Sequence, residues 1–196
     1  IEGWLKKNNI DYSLSDNTQM PPDFYLDPDN KTEGLMEIKA FNYKGSPGFD
    51  IADFRMYERE IAQKPWMLNV TYLVFGYDMA EDGTVTIKKV WQKKVWEMSR
   101  PMKSGKSKTI WPINLQIKQG TVHKMRPAKW YGKKTAFAIY DCLEDFLSAM
   151  EETMYKNKDT RDEAPDWLQK VLDNYEKHYR VRLQIPRWND IASKYV

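Results

Sequence analysis

Two acids and a lysine stand out by their spacing. Asp23 follows Pro22, thirteen residues intervene, and then come Glu37, Ile38 and Lys39. In an extended strand, side chains two residues apart leave the same face, so Glu37 and Lys39 would project together. If Asp23 begins the preceding strand of a hairpin, it comes beside Glu37. Two carboxylates at close range repel. A hard divalent cation such as Mg²⁺, which takes one or two carboxylates and keeps several waters, relieves that repulsion. Such an ion lowers the pKa of a bound water and offsets charge on a phosphate in the transition state. Lys39 beside it could orient the attacking water, help deprotonate it, or balance the phosphate. The residues alone leave these roles open.

Similar fragments elsewhere lack the setting. Pro-Asp also occurs at 28–29 and 165–166, and Asp29-Asn30-Lys31 repeats the acid-x-Lys order. Asp29 and Lys31 sit in turn chemistry, where the pair would not be held rigidly. Pro165-Asp166 suits the first turn of a helix. Taken as a bare tripeptide, Glu37-Ile38-Lys39 is an ordinary solvated strand surface. The hairpin, the capped helix after it and the basic segment downstream favour the catalytic reading.

Those positions need a frame. Residues 23–26 and 35–41 read as the hairpin, with Met36, Ile38 and Ala40 on one side and Leu35, Glu37 and Lys39 on the other. Residues 4–10 read as the end of a helix, and 11–20 as a loop or weak strand. Asp50 is expected to cap a helix over 51–63, where Ile51, Phe54, Tyr57 and Ile61 have helical spacing and Pro65 stops it. Residues 68–77 read as a buried strand and 84–98 as one or two more. Short strands are expected at 115–118 and 121–126. Amphipathic helices are expected over 137–155 and 167–179. The sum is one α/β (α+β) domain, residues 1–196, with a central mixed sheet flanked by helices.

Charge is divided along the chain. The net formal charge is +3, yet residues 88–134 hold 14 Lys and Arg against Glu97 alone, a local +13 that leaves −10 elsewhere. A basic element within an acidic body suits a polyanionic partner. Lys106, Lys108, Asn114, Gln116, Lys118, Lys124, Arg126 and Lys129 are the candidate DNA contacts. Lysines there would meet phosphates, while Arg and amide side chains could read base edges. The plainer alternative is a solvated edge hairpin whose lysines block aggregation.

Other features narrow the choice. Lys103-Ser104-Gly105-Lys106-Ser107 ends like a phosphate loop, but Arg100 stands where that motif needs glycine. The single Cys142 permits no intrachain disulfide and suits a reducing compartment, so a cytoplasmic location is expected. His123 and His178 are too few and too far apart for a His-rich metal site. The longest apolar stretch, near 67–77, is too short to span a bilayer, so no membrane partner is expected. Because the first residue is Ile, an N-terminal segment is expected upstream. Most of the eight Trp and twelve Tyr are expected to be core or amphipathic surface residues rather than a base-stacking platform.

The pattern Pro22-Asp23…Glu37-Ile38-Lys39 resembles the PD-(D/E)xK signature of the nuclease superfamily that includes most type II restriction endonucleases. The text "PPDFYLDP…GLMEIKAFNYKGSPGFDIADF", followed by "LQIKQGTVHKMRPAKW", is similar to the NgoBV/NlaIV group of restriction enzymes. The resemblance implies Mg²⁺-dependent hydrolysis of phosphodiesters in double-stranded DNA. It implies Asp23 and Glu37 as metal ligands, the Ile38 carbonyl as a third, and Lys39 as the catalytic lysine. Many members add an acid from a helix before the hairpin, for which Glu2 is the nearby candidate. A homodimer would match protein symmetry to a symmetric cleavage site. Two other readings stay in view: a structure-specific repair or junction nuclease of the same fold, and a non-catalytic DNA-binding protein.

Overall fold

Strand pairing explains how the site is carried. A computed structural model describes residues 1–17, 19–104, 109–119, 121–131 and 137–196. In chain order the elements begin with helix α1 (Glu2–Lys7), β1 (Ser13–Leu14), β2 (Phe24–Tyr25), β3 (Leu35–Asn42), β4 (Ala52–Asp53) and α2 (Phe54–Gln63). A 3₁₀ turn over Pro65–Asn69 leads into β5 (Thr71–Met79) and β6 (Val85–Lys93). A second 3₁₀ turn, Trp96–Met98, precedes β7 (Met102–Lys103), β8 (Ile110–Trp111), β9 (Leu115–Lys118) and β10 (Thr121–Met125). Three helices follow: α3 (Leu143–Lys156), α4 (Ala164–Tyr179) and α5 (Trp188–Tyr195).

The main sheet has the order β1-β2-β3-β5-β6. Only the β3–β5 pair is parallel, with Glu37 opposite Tyr72 and Lys39 opposite Val74. A parallel pair needs a long crossover, and α2 supplies it. The sheet is therefore mixed and flanked by helices, as the sequence pattern implied. On β5, Tyr72, Val74 and Gly76 are buried, while Leu73, Phe75 and Tyr77 are half-buried, which is the alternation of a strand with one closed face. Gly76 has a steric reason: a Cβ there would come within 3.0 Å of the Trp91 and Tyr43 rings. Those rings stack with Phe41 and Tyr131 at the end of β3.

The closed face packs on the helices. Tyr57, Ile61, Leu68, Val74, Phe146, Leu147, Met150 and Val171 belong to the main core. A second cluster of Leu5, Phe24 and Met36 holds α1 to the other face. Strand β6 is an edge, and its Val85, Ile87 and Val90 side chains are exposed. Lys88 and Lys89 interrupt that apolar run, as charges do at free edges. Among the described residues no helix is long and apolar enough to cross a membrane.

Several elements differ from the sequence reading. Strand β5 starts at Thr71 rather than 68, because Pro65–Asn69 forms a 3₁₀ turn, and α4 starts at Ala164 rather than 167. Helix α2 starts at Phe54 rather than near 51, because Ala52 and Asp53 first pair with Met125 and Lys124 of β10. Helix α3 starts at Leu143 rather than 137. Tyr140 instead packs its ring 4.7 Å from that of Tyr195 and hydrogen-bonds the Pro112 carbonyl, which holds that segment off the helix. The closing helix α5 was not anticipated. It is tied back to α3 by Lys194, whose Nζ lies 3.2 Å from Asp145 Oδ2.

Candidate active site

The β2–β3 register places Phe24 against Met36 and Tyr25 against Leu35. One step further along the antiparallel pair, Asp23 faces Glu37. The hairpin turn at its far end requires Gly34 at φ +62°, where a Cβ would also press within 3.1 Å of Leu26. Asp23 Oδ2 accepts the Ile38 N–H at 2.8 Å, which pins the first acid beside the backbone between Glu37 and Lys39.

Glu37 is only 4% exposed. Its Oε1 lies 2.6 Å from Lys39 Nζ. Its Oε2 is buried and has no hydrogen-bond partner among the described residues. Burial pushes the Glu37 carboxyl above its ordinary pKa; the Lys39 ammonium opposes this, and the charge of Asp23 adds to the upward push. A buried acceptor with no donor is costly, of order 1–3 kcal/mol. It is also what a cation site offers before its ion binds.

Glu37 and Lys39 open into a cavity of about 170 Å³ that is also lined by Met20, Asp50, Asp53 and Lys124. The sequence pattern points to Asp50 as the helix cap. The cap is Asp53, whose Oδ1 accepts the Met56 N–H at 3.1 Å. Asp50 instead lines the cavity, with its Oδ1 2.9 Å from Arg126 Nη1. Both acids precede the helix, and only the pairing of β4 with a strand some 70 residues later decides between them.

Oxygen donors suit a hard cation of the Mg²⁺ or Ca²⁺ kind. Among the described residues no three His, Cys, Asp or Glu side chains converge on one metal position. The available set is Asp23, Glu37 and backbone carbonyl oxygen, which fits an ion that keeps waters in its remaining positions. Glu2 is engaged elsewhere, accepting the Tyr12 hydroxyl at 2.9 Å and lying 4.0 Å from Lys6.

The candidate DNA contacts fall into groups. Lys118 and Lys129 are exposed, and Lys129 Nζ sits 5.2 Å from the centre of the Tyr131 ring. Gln116 is half-buried on β9. Asn114 donates to the Pro127 carbonyl at 3.3 Å, and Arg126 donates to the Gly48 carbonyl at 2.7 Å, so both side chains serve internal partners. Lys124 reaches the cavity itself. Lys106 and Lys108 lie outside the described residues.

The model of the NgoBV restriction endonuclease family matches residues 1–195. The chain belongs to that family. It is 53% identical over all 196 residues to the type II restriction enzyme NlaIV of Neisseria lactamica, spanning 78% of that enzyme. It is 45% identical over 119 residues to the type II restriction enzyme NgoBV of Neisseria gonorrhoeae, a match covering 61% of this chain and 64% of that one. The solved structure of NlaIV restriction endonuclease superposes with a TM-score of 0.93 at 52% identity, over 99% of this chain and 77% of the other. As a member of the NgoBV family the chain is a type II restriction endonuclease, an enzyme class that cuts DNA at specific sites. Restriction endonucleases act on double-stranded DNA and generally use divalent metal ions.

Proposed function

We propose that residues 1–196 form one nuclease domain that hydrolyses phosphodiester bonds of double-stranded DNA with Asp23, Glu37 and Lys39 as its catalytic set. The observation that carries this is the buried Glu37: one oxygen sits 2.6 Å from Lys39 Nζ, and the other has no hydrogen-bond partner among the described residues. Asp23, Glu37 and the Ile38 carbonyl would hold the ion, and Mg²⁺ is the ion this donor set suits. When bound, it supplies charge neutralisation at the phosphate and a more acidic water. Asp23 also takes the Ile38 N–H, which steadies the strand that presents Glu37 and Lys39. Lys39 orients the water for attack on phosphorus while its partner Glu37 keeps the ammonium in place. Lys118 and Lys129 would meet phosphates of the duplex, with Gln116 nearer the bases.

A symmetric site cut in both strands calls for two such active sites, so we assign a homodimer as the working form. Plasmid cleavage with Mg²⁺ tests the catalytic set. Wild type is expected to give discrete bands, and Asp23→Ala, Glu37→Ala and Lys39→Ala to give none. Normal cutting by Lys39→Ala would remove the assigned site. Sedimentation on cognate duplex tests the dimer, and one chain per duplex would reject it.

A further inference from the structure

Lys124 enters the active-site cavity from a part of the chain distant from the catalytic hairpin. β10 is the middle strand of the sheet β4-β10-β9, and its pairing with β4 sets Lys124 against Asp53. Lys124 Nζ lies 3.7 Å from Asp53 Oδ2, while the other oxygen of Asp53 caps α2. That separation exceeds the roughly 2.7–2.9 Å of a charge-assisted hydrogen bond. The Lys124 side chain keeps 32% of its surface exposed.

The charges around the cavity differ in how firmly they are paired. Lys39 is 2.6 Å from Glu37, and Arg126 is 2.9 Å from Asp50. Lys124 is the loosely held cation, and its ammonium can turn toward an anion in the cavity without breaking a short bond. Hydrolysis of a phosphodiester adds one water across one P–O bond and leaves a phosphomonoester and a hydroxyl. Negative charge on the non-bridging oxygens must be stabilised as that bond breaks, and a cation brought beside them, free of a short bond elsewhere, acts most strongly there.

We propose that Lys124 is a further catalytic residue that binds a non-bridging oxygen of the scissile phosphate, giving up no proton, and that Asp53 positions it. This deepens the reading of Asp23, Glu37 and Lys39 as the active site and rests on it. It also assigns the basic segment a second task, since one of its cations then serves the reacting phosphate rather than the grip on the duplex.

Single-turnover cleavage of a duplex bearing the mapped cut site, at saturating enzyme with Mg²⁺, separates the possibilities. Lys124→Ala is expected to lower the rate about 100-fold, with Kd for the duplex changed less than about threefold and an unchanged thermal midpoint. Lys124→Arg is expected to recover most of the rate. Asp53→Asn keeps a good helix cap, and is expected to lower the rate in the wild-type background but not further in Lys124→Ala. Wild-type turnover in Lys124→Ala would overturn the proposal. So would a loss confined to Kd, or a loss that tracks a fallen thermal midpoint and is not recovered by Lys124→Arg. Glu37→Ala, run beside these, keeps the two readings apart. If it is inactive while Lys124→Ala is fully active, only the role of Lys124 fails; if it cuts normally, both fail.

Discussion

Glu37 and Glu58 invite comparison. Each is a buried glutamate, 4% and 2% exposed, and each has a cation beside it. Glu37 stands on β3 with Lys39 at 2.6 Å. Glu58 stands on α2, with Arg55 Nη1 at 3.3 Å and Arg59 Nε at 3.7 Å. Arg55 also reaches Glu163 of the α4 cap at 3.0 Å, so that region is an ion network bracing α2 against α4. Burial drives the Glu58 carboxyl up to about 7, against the pull of Arg55. Burial also raises Glu37. A buried acid with a raised pKa and a basic neighbour therefore does not mark a catalytic site. Glu58 Oε1 also lacks a hydrogen-bond partner among the described residues, and Glu58 too lines a cavity that holds a lysine, Lys170. What distinguishes Glu37 is Asp23, a second carboxylate brought alongside by the neighbouring strand and held on the backbone between Glu37 and Lys39, where Glu58 has arginines on its own helix.

The largest expected difference is in activity. Glu37→Ala should lower cleavage by at least about 10³-fold, since groups acting as a catalytic unit fail together, whereas Glu58→Gln should stay within about twofold of wild type. Plasmid cleavage time courses at equal enzyme concentration measure both. A Glu58→Gln enzyme as inactive as Glu37→Ala would erase the distinction drawn between the two regions.

Next in size is the cost of removing one partner from a buried pair. Lys39→Ala leaves Glu37 buried without its cation, a change of about 3 kcal/mol in other buried pairs. Without Lys39 the Glu37 carboxyl loses the influence that lowers its pKa, so the variant should relax by keeping Glu37 protonated. Its deficit in guanidinium unfolding should accordingly be larger at pH 8 than at pH 5. An equal deficit at both values would mean that the Glu37 charge is not what Lys39 offsets. Truncating Arg55 should cost less, because Arg59 still faces Glu58.

A pH titration of stability sharpens the comparison further. Folded protein keeps the Glu58 proton up to about pH 7, while the unfolded chain releases it near the ordinary 4.5. The stability due to that held proton is complete below 4.5 and is lost as the pH rises through 7. At about 1.4 kcal/mol per unit, the loss is on the order of 3 kcal/mol. Glu58→Gln should flatten the fall over that range, and Glu37→Gln should remove a further part. A wild-type stability that rises steadily from pH 5 to 7 would contradict the raised carboxyl of Glu58.

The two regions were unequally legible in the sequence. Asp23, Glu37 and Lys39 declared themselves because a hairpin is local: spacing and a glycine-bearing turn suffice to set them together. Glu58 gave no signal, because its burial arises from α4, more than 100 residues away, including the bond from Trp167 Nε1 to the Glu58 carbonyl at 2.8 Å. The basic segment was visible as charge, but its division was not. Arg126 and Asn114 look like DNA readers in one dimension, yet they turn inward to Gly48 and Pro127 once β10 has docked on β4. The same docking decides that Asp53 rather than Asp50 caps α2.

Helix α2 joins the two regions, since its cap Asp53 lines the catalytic cavity and Glu58 lies one turn further along. The smallest expected effect concerns that cap. Asp53→Ala frees the Met56 N–H and should cost about 1 kcal/mol, while Asp53→Asn, which can still accept that bond, should cost only a fraction of it. Asp50→Ala should leave the helix end intact and instead loosen Arg126, whose guanidinium would keep the Gly48 carbonyl as its partner among the described residues. Urea unfolding of the three variants, read with hydrogen exchange at Met56, tells these apart. Equal protection of the Met56 amide in Asp53→Ala and wild type would return the cap to Asp50 and break the link through which a strand of the basic segment fixes the start of the crossover helix.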